Sequence, residues 1–310
     1  KKAGCDIVRL AVRDKDSVAA LKRIIERSDI PVVADIHFIP KLAIGSIEAG
    51  ASAIRLNPGN IRRKNDIEAI VKKARERKIP IRIGVNSGSL DIKEKTTAES
   101  MVKSALDYIK IFERKGFYDI IISLKSSDVR ETIEAYRKMS ALCDYPFHLG
   151  ITAAGPLISA VVKSGIGIGT LLQEGIGDTI RVSLTGPSLE EVETAKEILS
   201  SLKLRRFGPE IISCPTCGRC DIDLKELVDE FSKRLEEHKL PDFKPPLKIA
   251  IMGCVVNGPG EAKDADIGIA GGKGSGTLFI RGRKVRDLKQ DEFIDALIGE
   301  IKNMTRINTD

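Results

Sequence analysis

The sequence predicts an α/β chain: a TIM-like (β/α)8 barrel over residues 1–204, its first βα unit missing, then a smaller α+β domain over 205–310. Three observations carry this. Short β-branched runs alternate with stretches of helical period along the first two thirds of the 310 residues. Six consecutive runs place polar side chains at spacings of two or four residues, on one face of each strand. From Arg205 the alternation gives way to a cluster of cysteines.

In chain order, runs at Asp6–Val12, Pro31–Phe38 and Ala53–Gly59 end in polar or glycine residues, and further runs begin near Pro80, Asp119, Phe147 and Asp178. Between them lie amphipathic stretches such as Asp66–Arg75, and a last helix is expected from about Ser188 to Leu202. Strands alternating with helices argue for a parallel sheet, and seven regular units favour a barrel lacking one unit over a doubly wound sheet. The opening residues read as the tail of a helix entering a strand, which places the missing unit upstream. In the smaller domain, a strand at Glu210–Ser213 precedes a charged helix at about Asp223–Lys239 and a proline-rich hinge at Pro241–Pro246. Strands near 248–252, 266–270 and 277–280 and a helix from about Asp291 to Met304 complete it. The glycine-rich stretches at Ser164–Gly169 and Gly271–Gly276 lack dinucleotide and P-loop spacing and read as turns.

Composition narrows the function. Hydrophobic residues make up 42% and charged residues 31%, enough for a core and too little polarity for extended disorder. Tryptophan is absent and aromatics are 4%, so base-stacking platforms are hard to build. The +7 charge suits a small anion, and basic stretches such as Arg62–Lys64 are interrupted by Asp66 and Glu68, as on a solvated helix face. Nucleic acid and membrane partners are not expected. Without a long apolar run or a leader-like start, a soluble cytoplasmic protein is.

The polar barrel face pairs Asp35 with His37, Arg55 with Asn57, Arg82 with Asn86, Ser123 with Lys125, His148 with Thr152 and Arg181 with Ser183. Barrel active sites gather at the C-terminal strand ends, and an unpaired charge under the outer helices would be expensive. The face is therefore expected to point inward as a cationic mouth, with Arg55, Arg82, Lys125 and Arg181 aimed at a compact polyanion. The plainer alternative is that each arginine merely pairs with a barrel carboxylate. His37 and His148 are nearly as well explained as hydrogen-bonded core histidines, and His238 as a solvated one.

Six cysteines without secretory context make no disulfide framework. Cys5 and Cys143 read as small buried hydrophobes. Cys214-x-x-Cys217 is a metal or cluster signature, with a third thiolate from Cys220 or Cys254. All four together would suit a closed zinc site. Three thiolates with Glu261, seven residues beyond Cys254 across a turn, would suit an iron–sulfur cluster whose fourth iron has a displaceable oxygen ligand.

At this point the motifs resemble the 4-hydroxy-3-methylbut-2-enyl diphosphate synthase family of the methylerythritol phosphate route to isoprenoids. The resemblance spans essentially the whole chain. It rests on Ala34-Asp35-Ile36-His37-Phe38, Arg55-Leu56-Asn57-Pro58-Gly59-Asn60-Ile61, Arg82-Ile83-Gly84-Val85-Asn86, Glu174-Gly175-Ile176-Gly177-Asp178-Thr179, Cys214-Pro215-Thr216-Cys217 and, most specifically, Gly253-Cys254-Val255-Val256-Asn257-Gly258-Pro259-Gly260-Glu261.

The resemblance implies an oxidoreductase whose small domain carries a [4Fe–4S] cluster on Cys214, Cys217, Cys254 and Glu261, leaving Cys220 outside. It implies reductive ring opening and dehydration of 2-C-methyl-D-erythritol 2,4-cyclodiphosphate, with electrons from flavodoxin or ferredoxin. Arg55, Asn57, Arg82, Asn86, Lys125, Arg181 and Ser183 would hold the substrate. Asn257 would lie near the cluster, and the displaced hydroxyl would take the iron position of Glu261. Members form head-to-tail homodimers in which one subunit's cluster domain caps the other's barrel. Two departures stand out. The family's first strand and helix precede the Asp6–Arg9 strand and are missing here. Ala153 also occupies a position that is acidic in the family, so the proton-donating role passes to His37 or a water.

Overall fold

The computed structural model describes residues 1–90, 94–238 and 247–307. Its chain divides into two compact units, Lys1–Arg205 and Arg206–Asp310.

In the first unit, β1 (Val8–Val12), α1 (Lys15–Ile25), β2 (Val32–Ile36), α2 (Pro40–Glu48), β3 (Ala53–Leu56), α3 (Lys64–Arg77) and β4 (Ile81–Asn86) open the alternation. It continues through α4 (Thr97–Glu113), β5 (Ile120–Lys125), α5 (Val129–Ser140), β6 (His148–Leu149), α6 (Leu157–Gln173), β7 (Thr179–Ile180) and α7 (Ser188–Ser201). Strands β1 to β5 form one parallel sheet in chain order. A parallel bridge from Ile122 to Phe147 carries it towards the parallel pair β6–β7. This is the strand succession of a (β/α) barrel wall. Among the described residues β1 and β7 do not pair.

Local chemistry starts the helices. Asp14 accepts from the Ser17 N–H at 2.7 Å, Thr96 from the Glu99 N–H at 3.1 Å and Asp128 from the Glu131 N–H at 2.9 Å. Each satisfies a donor the first helical turn leaves open. Packing does the rest. Ile54, Leu56, Ile81, Ile83, Ile122 and Leu124 of the strands and Ile67, Ile70, Met101 and Phe112 of the helices are buried in one core, each large side chain contributing about 1.5–3 kcal/mol.

The second unit contains β8 (Glu210–Ser213), α8 (Leu224–Glu237), β9 (Lys248–Met252), α9 (Gly258–Lys263), β10 (Ile267–Gly272), β11 (Ser275–Ile280), β12 (Arg283–Lys289) and α10 (Phe293–Ile307). Its sheet runs β12-β11-β10-β9-β8, parallel from β8 to β10 and antiparallel from β10 to β12. Phe231, Ile249, Ile251, Ile269, Leu278, Phe293 and Leu297 fill its core.

Several local expectations fail, each for a physical reason. Residues 1–7 form turns rather than a helix tail, with the Gly4 N–H donating to the Lys1 carbonyl at 2.8 Å. Ser164–Gly169 lies inside α6. A Cβ at Gly167 would come within 2.6 Å of Ile151 Cδ1, so the Ile151 side chain would have to shift to admit one. The turn foreseen between Cys254 and Glu261 tightens into α9. Strand β12 was hidden by its charge: as the sheet edge it exposes all but Leu288 of its residues and lacks an apolar alternation. The Gly271–Gly276 turn shrinks to Lys273–Gly274 between β10 and β11, with Gly274 at φ +71°. Lys239 and the hinge at Pro241–Pro246 lie outside the described residues. Among the described residues no helix is long and apolar enough to cross a membrane.

Candidate active site

Strand register assembles the polar face. Asp35 of β2 lies opposite Arg55 of β3, which lies opposite Arg82 of β4, so the three stand in one row. Further along, Gly84 and Asn86 of β4 face Ser123 and Lys125 of β5. Asp35, Arg55, Asn57, Arg82, Ser123, Lys125 and His148 are all buried.

One carboxylate organises one side of this box. Asp35 Oδ1 accepts from Arg55 Nη1 at 3.2 Å, and Arg9 Nε approaches Oδ2 at 3.4 Å. His37, less buried, brings Nε2 to 3.9 Å from the same oxygen. Arg55 Nη2 donates to the Gly84 carbonyl at 2.8 Å. With its amide oxygen turned towards Arg55, Asn86 accepts from the same nitrogen at 3.2 Å. Glycine is needed at position 84 because a Cβ would lie 2.2 Å from Arg55 Nε. Asn57 is spent on the loops: its amide donates to Ser89 Oγ at 2.9 Å and its oxygen accepts from the Gly59 N–H at 3.0 Å.

The other side is rich in donors and poor in acceptors. Arg82 Nε and Nη2, Lys125 Nζ and His148 Nε2 are buried and meet no hydrogen-bond partner. Lys125 lies against Gly150, where a Cβ would come within 2.8 Å of Nζ. Burial, followed by Arg9 and Arg55, lowers the Arg82 pKa to about 9. Burial, followed by the charges of Arg82 and Arg181, holds the Lys125 ammonium well below its usual range. The same forces, burial first and Lys125 next, push His148 well down. His148 is fixed by Thr179 Oγ1, 2.8 Å from Nδ1, and by the Tyr136 hydroxyl, which donates to its carbonyl at 2.6 Å. Arg181, just past β7, sits 3.6 Å from Glu191 Oε1, with burial lowering its pKa first. Ser183 is half-buried two residues further on. Ala153 is exposed and held at φ +50°, a left-handed conformation unusual for alanine.

The structure thus brings Arg55, Arg82, Asn86 and Lys125 onto one buried face, with Arg181 close enough to shift Lys125, while His37 lies at the margin. Sequence reasoning missed Arg9, which adds its charge from β1. Its signal was an arginine inside the apolar run Ile7–Val12.

In the second unit, Cys214 directly follows β8 and Cys254 follows β9 by one residue, two neighbouring parallel strands with Ser213 opposite Ile251. The Gly253 N–H points to Cys214 Sγ at 3.3 Å. Buried Cys254 has its thiol pKa lowered by the N–H groups of Asn257, Val256 and Gly258. Exposed Cys217 is lowered by the Arg219 backbone N–H and, in opposition, feels the charge of Cys254. Cys220 instead donates to the Ile222 carbonyl at 3.3 Å. Asn257 and Glu261 are exposed, and the Glu261 N–H donates to the Asn257 carbonyl at 3.3 Å. Among the described residues no three His, Cys, Asp or Glu side chains converge as ligands of a single metal ion.

A TIM-barrel protein with buried cationic side chains, followed by a thiol-bearing α+β unit, is the class this architecture defines. The chain belongs to the GcpE family: the GcpE TIM-barrel domain matches residues 1–196 and the GcpE protein C-terminal domain residues 210–303. Similar curated proteins carry the name 4-hydroxy-3-methylbut-2-en-1-yl diphosphate synthase (flavodoxin). That of Clostridium tetani is 52% identical, covering 97% of this chain and 86% of that protein. That of Clostridium perfringens is 52% identical over 98% and 87%, and that of Caldanaerobacter subterraneus 53% identical over 98% and 85%. Among solved structures, Yersinia pestis dihydropteroate synthase is 13% identical with a TM-score of 0.44, covering 65% of this chain and 84% of that one, too distant to argue from.

Proposed function

We propose that the chain is a 4-hydroxy-3-methylbut-2-en-1-yl diphosphate synthase acting in the cytoplasm. It opens 2-C-methyl-D-erythritol 2,4-cyclodiphosphate reductively, with electrons from flavodoxin or ferredoxin. The observation that carries the substrate half is the set of buried donors without acceptors on Arg82, Lys125 and His148. Donors buried in this way cost about 1–3 kcal/mol each unless a ligand supplies the acceptor. The name shared by relatives over nearly the whole chain supports the reaction. Its balance is simple: the cyclic diphosphate dianion, two electrons and one proton give the linear diphosphate trianion and water.

In this reading Arg82, Lys125, Arg181 and Ser183 grip the phosphates, while Arg55, Asn57 and Asn86 fix the shape of the box. His37, beside Asp35 at the margin, holds the proton at Nε2. An iron–sulfur cluster of the [4Fe–4S] type, when bound, supplies the electrons. The donor set fits it. Cys214, Cys217 and Cys254 lie on adjacent strand ends and the loop between, and N–H groups hold Cys217 and Cys254 towards thiolate. A polynuclear cluster also spreads its ligands more widely than one ion does. Glu261 would be the fourth ligand, with Asn257, whose carbonyl accepts from the Glu261 N–H, beside it. Box and thiolates work together in a head-to-tail homodimer.

The test is iron and sulfide content with the visible spectrum of protein purified without oxygen, then turnover of the cyclodiphosphate with reduced flavodoxin. About four irons and four sulfides per chain, lost in Cys254→Ser and kept in Cys220→Ser, are expected. Arg82→Ala should keep the iron and lose substrate binding. A colourless protein with one zinc and no turnover would overturn the reading.

A further inference from the structure

Lys125 is the least comfortable charge in the barrel. The residue is 4% exposed and its Nζ has no hydrogen-bond partner. The charges that act on it come from Arg9 of β1, Arg55 of β3, Arg82 of β4 and Arg181 beyond β7, and its own charge acts on His148 of β6. The carboxylates beside these arginines are committed to them: Asp35 to Arg55 and Arg9, and Glu191 of α7 to Arg181. On α5, Asp128 caps its own helix and Glu131 accepts from Ser126 Oγ. Tyr136, also on α5, spends its hydroxyl on Leu124 and His148.

We propose that Lys125 stands in the resting barrel as a neutral amine and takes up a proton when the cyclic diphosphate binds, so that substrate binding carries one proton into the box. The proposal rests on the substrate reading above and deepens it. An ammonium here would be both desolvated and surrounded by four guanidinium groups, the two effects that favour the neutral form. An incoming dianion reverses the field and offers the amine its missing acceptors. Ring opening then breaks a carbon–oxygen bond and leaves its electrons on a phosphate oxygen. The charged Lys125 stands ready for that extra negative charge. Gly150 permits this role, since a side chain there would occupy the space of Nζ.

The linkage has a definite sign. Between the free and liganded pKa values of Lys125, affinity falls up to tenfold per unit rise in pH, because each binding event must draw a proton from solution. Calorimetry with the cyclodiphosphate at pH 7.5, where Arg82 with its pKa of about 9 stays charged, in buffers of different ionisation enthalpy, reads the uptake directly. Each phosphorus of this ligand carries one ester and one anhydride oxygen, which leaves a single strongly acidic group, so the ligand releases no proton there. Uptake near one proton in the parent and in His148→Gln, and near zero in Lys125→Met, is the expected result. Buffer-independent heats in the parent, or uptake that persists in Lys125→Met, overturn it. A second measurement does not depend on the substrate: the pH titration of carbon-13 ε-labelled lysine, free and with saturating sulfate. The resonance missing from Lys125→Met should titrate well below the other lysines and move up when sulfate is added. If sulfate moves it and the cyclodiphosphate does not bind, the substrate reading falls and the coupling stands. If it titrates with the other lysines, or neither anion moves it, the coupling falls.

Discussion

Replacing Gly84 with alanine adds one methyl group at the most crowded point of the box. The new Cβ would lie 2.2 Å from Arg55 Nε and 3.0 Å from its Cζ. Ordinary contact begins near 3.4 Å, so the guanidinium must retreat by about 1 Å. It cannot retreat freely, since Asp35 and the Gly84 carbonyl hold its two ends. Overpacking of this kind costs about 1–3 kcal/mol of stability. A displacement of about 1 Å among binding groups lowers turnover on the order of a hundredfold. Gly88 is the control, because a Cβ there meets nothing within 4 Å. Urea unfolding and kcat/KM for the cyclodiphosphate should separate the two variants. Were Gly84→Ala as stable and active as Gly88→Ala, the pinned arrangement of Arg55 would be wrong.

Removing the Tyr136 hydroxyl as phenylalanine strips partners from the buried Leu124 N–H and the His148 carbonyl, and should lower stability by about 1–3 kcal/mol in a denaturant titration. His148 is held neutral in the fold and charges more readily in the unfolded chain. The unfolded state therefore binds more protons as pH drops below about 6.5, and stability of the ligand-free protein falls there; the slope should flatten in His148→Gln. In iron-free protein Cys217, exposed and tuned towards thiolate, should react with iodoacetamide faster than Cys220, whose thiol is held by the Ile222 carbonyl; peptide mapping of a brief reaction reads the order. Asp35→Asn leaves Arg9 and Arg55 without their shared carboxylate, a loss of about 3–5 kcal/mol when a buried pair is broken, measurable by the same unfolding.

The barrel wall was legible because its signal repeats: β-branched runs, helical spacing between them, and polar residues two or four apart. The inward face followed from that period, and register places Asp35, Arg55 and Arg82 in one row. Which donors are spent was not legible. Asn57 and Arg55 look like ligands in sequence, yet their bonds go to Ser89, Gly59, Asp35 and Gly84, partners that only the fold brings near. Arg9 escaped notice as one charge in an apolar run. Strand β12 and helix α9 escaped because edge charge and short length erase the periodicity by which such elements are found.

The glycines inside α6 have a consequence for motion. A Cβ at Gly167 would press on the Ile151 side chain, but one at Gly165 or Gly169 would meet nothing within 4 Å. Each sacrifices about 0.8–1 kcal/mol of helix propensity relative to alanine, beside a groove shared with α7. Helix α6 is thus the stave of the wall most easily loosened, where amide hydrogens should exchange ahead of those in α4 and α5. Alanine at those two positions would tighten it without touching the chemistry inside.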